Sequence, residues 1–344
     1  MKLLIVEDDK AQCTLYEEAL TIFNEENQKK IEGDICRTRE EGLKAASTKY
    51  YDGAIIDINL GNGAEIAGND VIKEIFSKQR IPIYILSGTP DSYIEIPELR
   101  DKKLLLKIER RGDIEIIELF NEMYKFYSTG LTKILNRNGN LDKIMDEIFL
   151  KYSENLVNAL QEDGDISDEE KEKIISRFCA TIISEHLKHS NTKYHPYEIY
   201  FNPPLKESIT TGDILLNTRT QKRKIILTPA CDLEMRADGK RKVNTVLLAD
   251  VEESEVLKSN CFPDKKSTNF YSELKSKKLR DYYEYLPLSN EKGLIIDFSM
   301  LSSVKIEELD GEYKREMGIN ETFLKEIITN FSKYYGKQGI PELY

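Results

Sequence analysis

Gly53-Ala54-Ile55-Ile56-Asp57-Ile58-Asn59-Leu60-Gly61 decides the reading of this chain. The aliphatic run Ala54 to Ile56, flanked by Gly and Asp, predicts a strand buried on both faces, the pattern of a parallel sheet covered by helices. In such sheets ligands bind beyond the carboxyl ends of the strands. Asp57 stands at that edge and is the first candidate reactive residue.

Working outward, Leu3 to Val6 is a second buried-strand run, and Glu7-Asp8-Asp9 follows it directly. Residues 10 to 25 carry Cys13, Tyr16, Leu20 and Phe23 near helical spacing. Short strands are expected at Gly33 to Cys36 and Ile81 to Leu86, the latter running into Ser87-Gly88, and a last one at Lys103 to Leu106, ending in Lys107. Helices are expected at Thr38 to Tyr50, Asn69 to Ser77 and Asp113 to Tyr127. Five strands alternating with helices imply a doubly wound α/β domain with a five-stranded parallel sheet, because parallel neighbours need crossover connections.

Four strand ends then carry Asp8 and Asp9, Asp57, Ser87 and Lys107. Three carboxylates crowded together need a cation, and oxygen ligands point to Mg²⁺. A lysine and a hydroxyl beside them suit a phosphoryl group. Each of these residues alone is better explained as a helix cap, a turn or a solvated charge; it is their joint order that argues for a site.

Val6-Glu7-Asp8-Asp9, Asp57 with Ile58-Asn59-Leu60-Gly61, Leu86-Ser87-Gly88 and Lys107 resemble the receiver domain of two-component response regulators, over roughly residues 1 to 127. The resemblance implies a flavodoxin-like fold and an Asp57 that accepts a phosphoryl group from a sensor histidine kinase. It implies Mg²⁺ held by Asp8, Asp9, Asp57 and the Asn59 main-chain carbonyl, with Ser87 and Lys107 on the phosphoryl oxygens. Leu104 and Ile108 depart from the family pattern, which has an aromatic residue three before the lysine and a proline after it. Those departures favour, as an alternative, a receiver-fold scaffold that works without phosphate.

The whole chain of 344 residues has 40% hydrophobic and 32% charged residues and a net charge of -11, which argues against a generally basic nucleic-acid binder. Five single cysteines without paired spacing fit reduced thiols, and no run approaches the roughly 18 apolar residues of a membrane span. The expectation is a cytoplasmic protein with no membrane partner. Three regions are expected: a receiver at 1–127, a helical linker, bundle or dimerisation segment at 128–192, and a β-rich output domain with a C-terminal helix at 193–344. In the helical region Ser167-Asp168-Glu169-Glu170 has capping-box spacing, and the acidic helix after it is a poor DNA-reading face. Cys179, His186 and His189 lack a fourth metal ligand.

In the last region strands are expected at Glu198 to Phe201, Asp213 to Asn217, Lys224 to Thr228, Val243 to Val251, Leu294 to Phe298 and Val304 to Glu307, in a mostly antiparallel sheet resembling an SH3-like barrel. Asp310-Gly311 is read as a turn. Cys231-Asp232 with His195 is a weak nucleophile candidate, and Asp213, Asp232 and Asp250 are weaker metal-ligand candidates. The cation-rich stretch from Arg219 to Arg280 suggests a nucleic-acid surface as a disfavoured alternative, which would make the chain a receiver-gated effector in a stress or defence system. A homodimer through the receiver or the helical segment completes the expected partners.

Overall fold

The computed structural model describes residues 1–28, 30–61, 67–136, 139–162, 166–188, 193–288 and 292–337. The chain divides into two compact units, Met1–Asn191 and Thr192–Tyr344.

The first unit opens with β1 (Lys2–Val6), α1 (Lys10–Glu26), β2 (Glu32–Cys36), α2 (Arg39–Thr48), β3 (Gly53–Ile56), α3 (Ala67–Lys78), β4 (Ile83–Ser87), β5 (Leu106–Arg110) and α4 (Ile116–Ser128). The five strands form one parallel sheet in the order β2-β1-β3-β4-β5. This is the flavodoxin-like winding, in which chain direction across the sheet reverses between β1 and β3 and opens a crevice at their carboxyl ends. Period-two alternation sends Leu4, Val6, Ala54, Ile56, Ile83 and Ile85 to the α2 and α3 side. Leu3, Ile5, Ile55, Tyr84 and Leu86 face α1 and α4.

The last strand differs from expectation. The run Leu104 to Leu106 is mostly the turn before β5, and the strand itself is Leu106–Arg110. Lys107 is therefore its second residue rather than its terminus. As the edge strand, β5 alternates in exposure instead of reading as a continuous apolar run.

Beyond α4, the short α5 (Leu131–Leu135), α6 (Asn140–Glu162) and α7 (Asp168–Lys188) belong to the same unit. Asn136 ties α5 to the amino end of the sheet: its amide donates to the Tyr51 carbonyl at 2.8 Å and its side-chain oxygen accepts from Arg80 N at 3.2 Å. Helices α6 and α7 pack on each other, with Tyr152 edge-on to Phe178 at 5.4 Å between centroids. The Ser167 capping box is present, with Ser167 and Glu170 bonded reciprocally. His189 lies outside the described residues.

The second unit comprises β6 (Tyr200–Phe201), β7 (Asp213–Asn217), β8 (Arg223–Ile226), α8 (Ala230–Leu233), β9 (Thr245–Glu253), α9 (Ser254–Cys261), α10 (Ser267–Lys275), β10 (Tyr283–Pro287), β11 (Gly293–Lys305), α11 (Ile306–Glu312), β12 (Tyr313–Ile319) and α12 (Glu321–Tyr335). Its strands make one wholly antiparallel sheet, β10-β11-β9-β8-β7-β12-β6. The sheet curls as a half-barrel, and the Tyr200 hydroxyl on one end strand donates to the Pro287 carbonyl on the other at 3.2 Å. One face is covered by α12 over Ile214, Ile225, Val251, Ile296 and Phe298. The other carries Leu215, Ile226, Val246 and Leu248 under Leu233, Ile306 and Leu309. Strands β10 and β12 were not expected. The stretch expected as a separate strand at Val304 to Glu307 continues β11 past a register shift between Asp297 and Leu301, then turns into α11, which also takes in Asp310 and Gly311.

Candidate functional site

The crevice at the β1 and β3 ends is built from four short segments. Asp57 follows β3 directly, is 5% exposed, and is held in place by its own N–H, which donates to the Val6 carbonyl at 2.9 Å. Glu7 follows β1 and is 1% exposed. Asp8, next along, is exposed and accepts from Gly61 N at 2.8 Å. One ligand oxygen from each of Glu7, Asp8 and Asp57 lies within 4.8 Å of the others, the one such acidic group among the described residues.

Asp9 does something else. Its Oδ1 accepts from Ala11 N at 2.7 Å and Gln12 N at 3.0 Å, capping α1. Those two backbone donors hold its carboxyl below the usual range. The acidic pair at the crevice is Glu7 and Asp8, one residue earlier than the expected Asp8 and Asp9.

The cation differs as well. Arg111, the residue after β5, donates from Nη2 to Glu7 Oε2 at 2.6 Å and to Asp57 Oδ2 at 2.8 Å. Its N–H donates to the Ser87 carbonyl at 2.9 Å, which fixes it against the end of β4. Lys107 instead gives its ammonium to Glu122 on α4 at 2.6 Å and lies 3.6 Å from Glu109. Counting from Arg111, the position three before is Ile108 and the one after is Gly112, so the aromatic and the proline of the family pattern are missing in this register too.

Electrostatically the pocket is tense. Burial pushes the Glu7 carboxyl up to about 7, with Asp57 adding to the rise and Arg111 opposing it. Burial works against the Arg111 charge, but Glu7 and Asp57 together hold its affinity for protons above the ordinary arginine value.

Ser87 ends β4 fully buried, and its Oγ accepts from Thr89 N at 3.4 Å. Thr89 in turn accepts from the Asn59 amide at 2.6 Å, linking the loops after β3 and β4. Asn59 N donates back to Asp57 Oδ1 at 3.4 Å. The structure thus places Asp57 and Asp8 in one acidic group with Glu7 and Arg111, links Asn59 and Ser87 through Thr89, and leaves Asp9 and Lys107 on other partners. Glu7 was legible as the first residue past the Leu3–Val6 run; Arg111 had no sequence signal once the strand was ended at Lys107.

The weaker candidates do not converge. Cys231 is exposed, 3.7 Å from an Asp232 oxygen that Lys242 also takes. His195 caps the turn before β6, accepting from Tyr197 N at 3.2 Å. Asp213 is paired with Arg315, and Asp250 with Lys224. In the cation-rich stretch Arg223, Lys224, Lys242, Lys265 and Lys277 all pair with carboxylates of their own unit.

No family model and no curated protein sequence matches the chain. Similar solved structures do exist. Receiver domains are among them. One is the N-terminal domain of a response regulator/sensory box/GGDEF three-domain protein from Carboxydothermus hydrogenoformans, at 20% identity and TM-score 0.28, covering 38% of this chain and 99% of that one. A CheY-like receiver domain from Methylobacillus flagellatus has 20% identity and TM-score 0.28, over 36% of this chain and 98% of its own. A third, the receiver domain of a sensor histidine kinase from Pseudomonas aeruginosa PAO1, holds a magnesium ion in its active site cleft; it has 17% identity, TM-score 0.27, and coverage of 37% and 97%. No helix among the described residues is long and apolar enough to cross a membrane.

Proposed function

We propose that the first unit is a phosphoryl-accepting receiver in which Asp57 takes a phosphoryl group from a sensor histidine kinase and so regulates the second unit as an output. The observation that carries this reading is the meeting of Glu7, Asp8 and Asp57 with the Arg111 guanidinium at the carboxyl ends of β1, β3 and β5. An Asp57 oxygen attacks phosphorus, the bond to the donor imidazole nitrogen breaks, and the electron pair leaves with the imidazole. The hydroxyls of Ser87 and Thr89, at and just past the end of β4, and the Arg111 guanidinium would bind the three phosphoryl oxygens.

The donor set fits a hard divalent cation: three carboxylates, no nitrogen or sulfur ligand, and one exposed member through which water reaches the site. Glu7, Asp8 and Asp57, with the Asn59 carbonyl, would hold Mg²⁺. When bound, Mg²⁺ supplies positive charge that offsets repulsion between the carboxylates and the incoming phosphoryl oxygens.

A second reading rests on one specific contact. Because Arg111 already bridges Glu7 and Asp57, the site is partly neutralised without metal, as suits a receiver-fold binding module that works without phosphorylation. Intact mass after incubation with acetyl phosphate and Mg²⁺ separates the two. A phosphate-sized gain in the wild type and none in Asp57→Asn supports the phosphoacceptor; no gain in either supports the binding module.

A further inference from the structure

We propose that Arg111 is a resident counter-ion that competes with the divalent cation for Glu7 and Asp57, so that metal binds only as the guanidinium lets go. This rests on the metal-binding reading above. A single nitrogen, Nη2, donates to Glu7 Oε2 at 2.6 Å and to Asp57 Oδ2 at 2.8 Å. It therefore sits between two of the carboxylates that would hold the cation. Three further oxygens are also engaged: Glu7 Oε1 accepts from Asp9 N at 3.1 Å, Asp8 Oδ2 from Gly61 N at 2.8 Å and Asp57 Oδ1 from Asn59 N at 3.4 Å.

A guanidinium in hydrogen-bond contact with the oxygens that would ligate the metal repels it across a few ångströms in a largely buried site, where water screens little. The Arg111 backbone is anchored to Ser87 and its side chain is 27% exposed, with its side-chain hydrogen bonds among the described residues going to Glu7 and Asp57. Released from them, it stays within the same crevice, beside Asp57 and the Ser87 backbone. Metal binding thus frees a planar donor with several N–H groups next to the oxygen that would carry a phosphoryl group, a group that guanidinium binds in two-pronged fashion.

The test is calorimetric titration of the full chain with MgCl₂ at pH 8 for the wild type and Arg111→Gln. The proposal expects the variant to bind Mg²⁺ at least about tenfold more tightly, through loss of one adjacent positive charge. Equal or weaker binding by the variant, with measurable binding in the wild type, overturns the counter-ion and leaves the metal site standing. Binding by neither protein overturns both. Since Arg111→Gln leaves Glu7 without its partner and can impair folding, a second measurement uses the wild type. The side-chain N–H resonance of Arg111, assigned by its loss in Arg111→Lys, is expected to shift and exchange faster with solvent as Mg²⁺ is added. A resonance that ignores saturating Mg²⁺ overturns the proposal.

Discussion

Replacing Gly68 by alanine tests how the sheet edge and the candidate site are fitted together. Gly68 is the second residue of α3, and its N–H donates to the Ile58 carbonyl at 2.9 Å. A Cβ there would stand 2.1 Å from the Asp57 carbonyl oxygen, 2.7 Å from Ile58 Cα and 3.0 Å from the Asp57 carbonyl carbon. All three are backbone atoms, so relief requires α3 or the Asp57 loop to move by more than an ångström. On helix propensity alone the change should stabilise by about 1 kcal/mol. Overpacking against backbone that cannot rotate away belongs at the upper end of the usual range, about 3 kcal/mol, and the net expectation is a loss of about 2 kcal/mol. Gly42→Ala is the internal control. Its Cβ would meet methyl groups of Val6 and Val71 at 3.1 to 3.2 Å, which rotamer adjustment can relieve, and its stability should stay within about 1 kcal/mol of wild type. Urea unfolding followed by hydrogen-exchange mass spectrometry reads both, taking the transition from peptides of β1, β3 and β4. A Gly68→Ala protein as stable as the wild type would refute the close approach of α3 to Asp57.

Three further outcomes follow from the same contacts. Glu7 has a folded-state pKa of about 7 against an ordinary value of 4.5, so its contribution to stability is fully present below about pH 4.5 and lost as pH rises through about 7; it amounts to roughly 3 kcal/mol at most. In EDTA, the wild type should therefore gain stability relative to Glu7→Gln as pH falls from 8 to 4.5, and a flat difference across that window would count against a buried Glu7. Lys107→Ala should be phosphorylated by acetyl phosphate at the wild-type rate while Arg111→Ala is not, since Lys107 is engaged by Glu122; a kinetic loss in Lys107→Ala alone would restore Lys107 to the site. Asn136→Ala removes the hydrogen bonds to the part-buried Arg80 N–H and the buried Tyr51 carbonyl and should cost about 2 kcal/mol, read as faster hydrogen exchange in α5 and in the segment before β3.

The parts of the fold legible in the sequence are those where one rule decides. Strands β1, β3 and β4 are covered on both faces, so their aliphatic runs announced them, and Asp57 and Ser87 fell where the runs end. In the second unit β12 was missed because two charged residues at its centre sit in ion pairs between the apolar contacts made by Tyr313, Met317 and Ile319. Arg315 meets Asp213 and Glu316 meets Arg223, which hides the alternation a strand normally shows. Strand β10 was obscured differently: its Tyr283 and Leu286 face inward, but the neighbouring lysines made the whole stretch read as a basic surface.

The two differences between the expected and observed placements of Asp9 and Lys107 share a cause. A rule for buried central strands was applied to residues governed by something else. Leu104-Leu105-Leu106-Lys107 resembles a central strand ending in a lysine, yet β5 is an edge strand, and edge strands are marked by alternation. Leu106, Ile108 and Arg110 form one alternating set and Lys107 and Glu109 the other, which carries the strand four residues beyond the apolar run and delivers Arg111 to its end. Likewise Asp9 precedes the helical stripe Cys13, Tyr16 and Phe23 at the position where an N-cap is required. A capping Asp has its oxygen committed to the first-turn N–H groups, so the two acids left for the crevice were Glu7 and Asp8. The same geometry explains why a buried Glu is tolerated after β1: Arg111 reaches back over 104 residues of chain to meet it, and a lysine at 107 faces Glu122 instead.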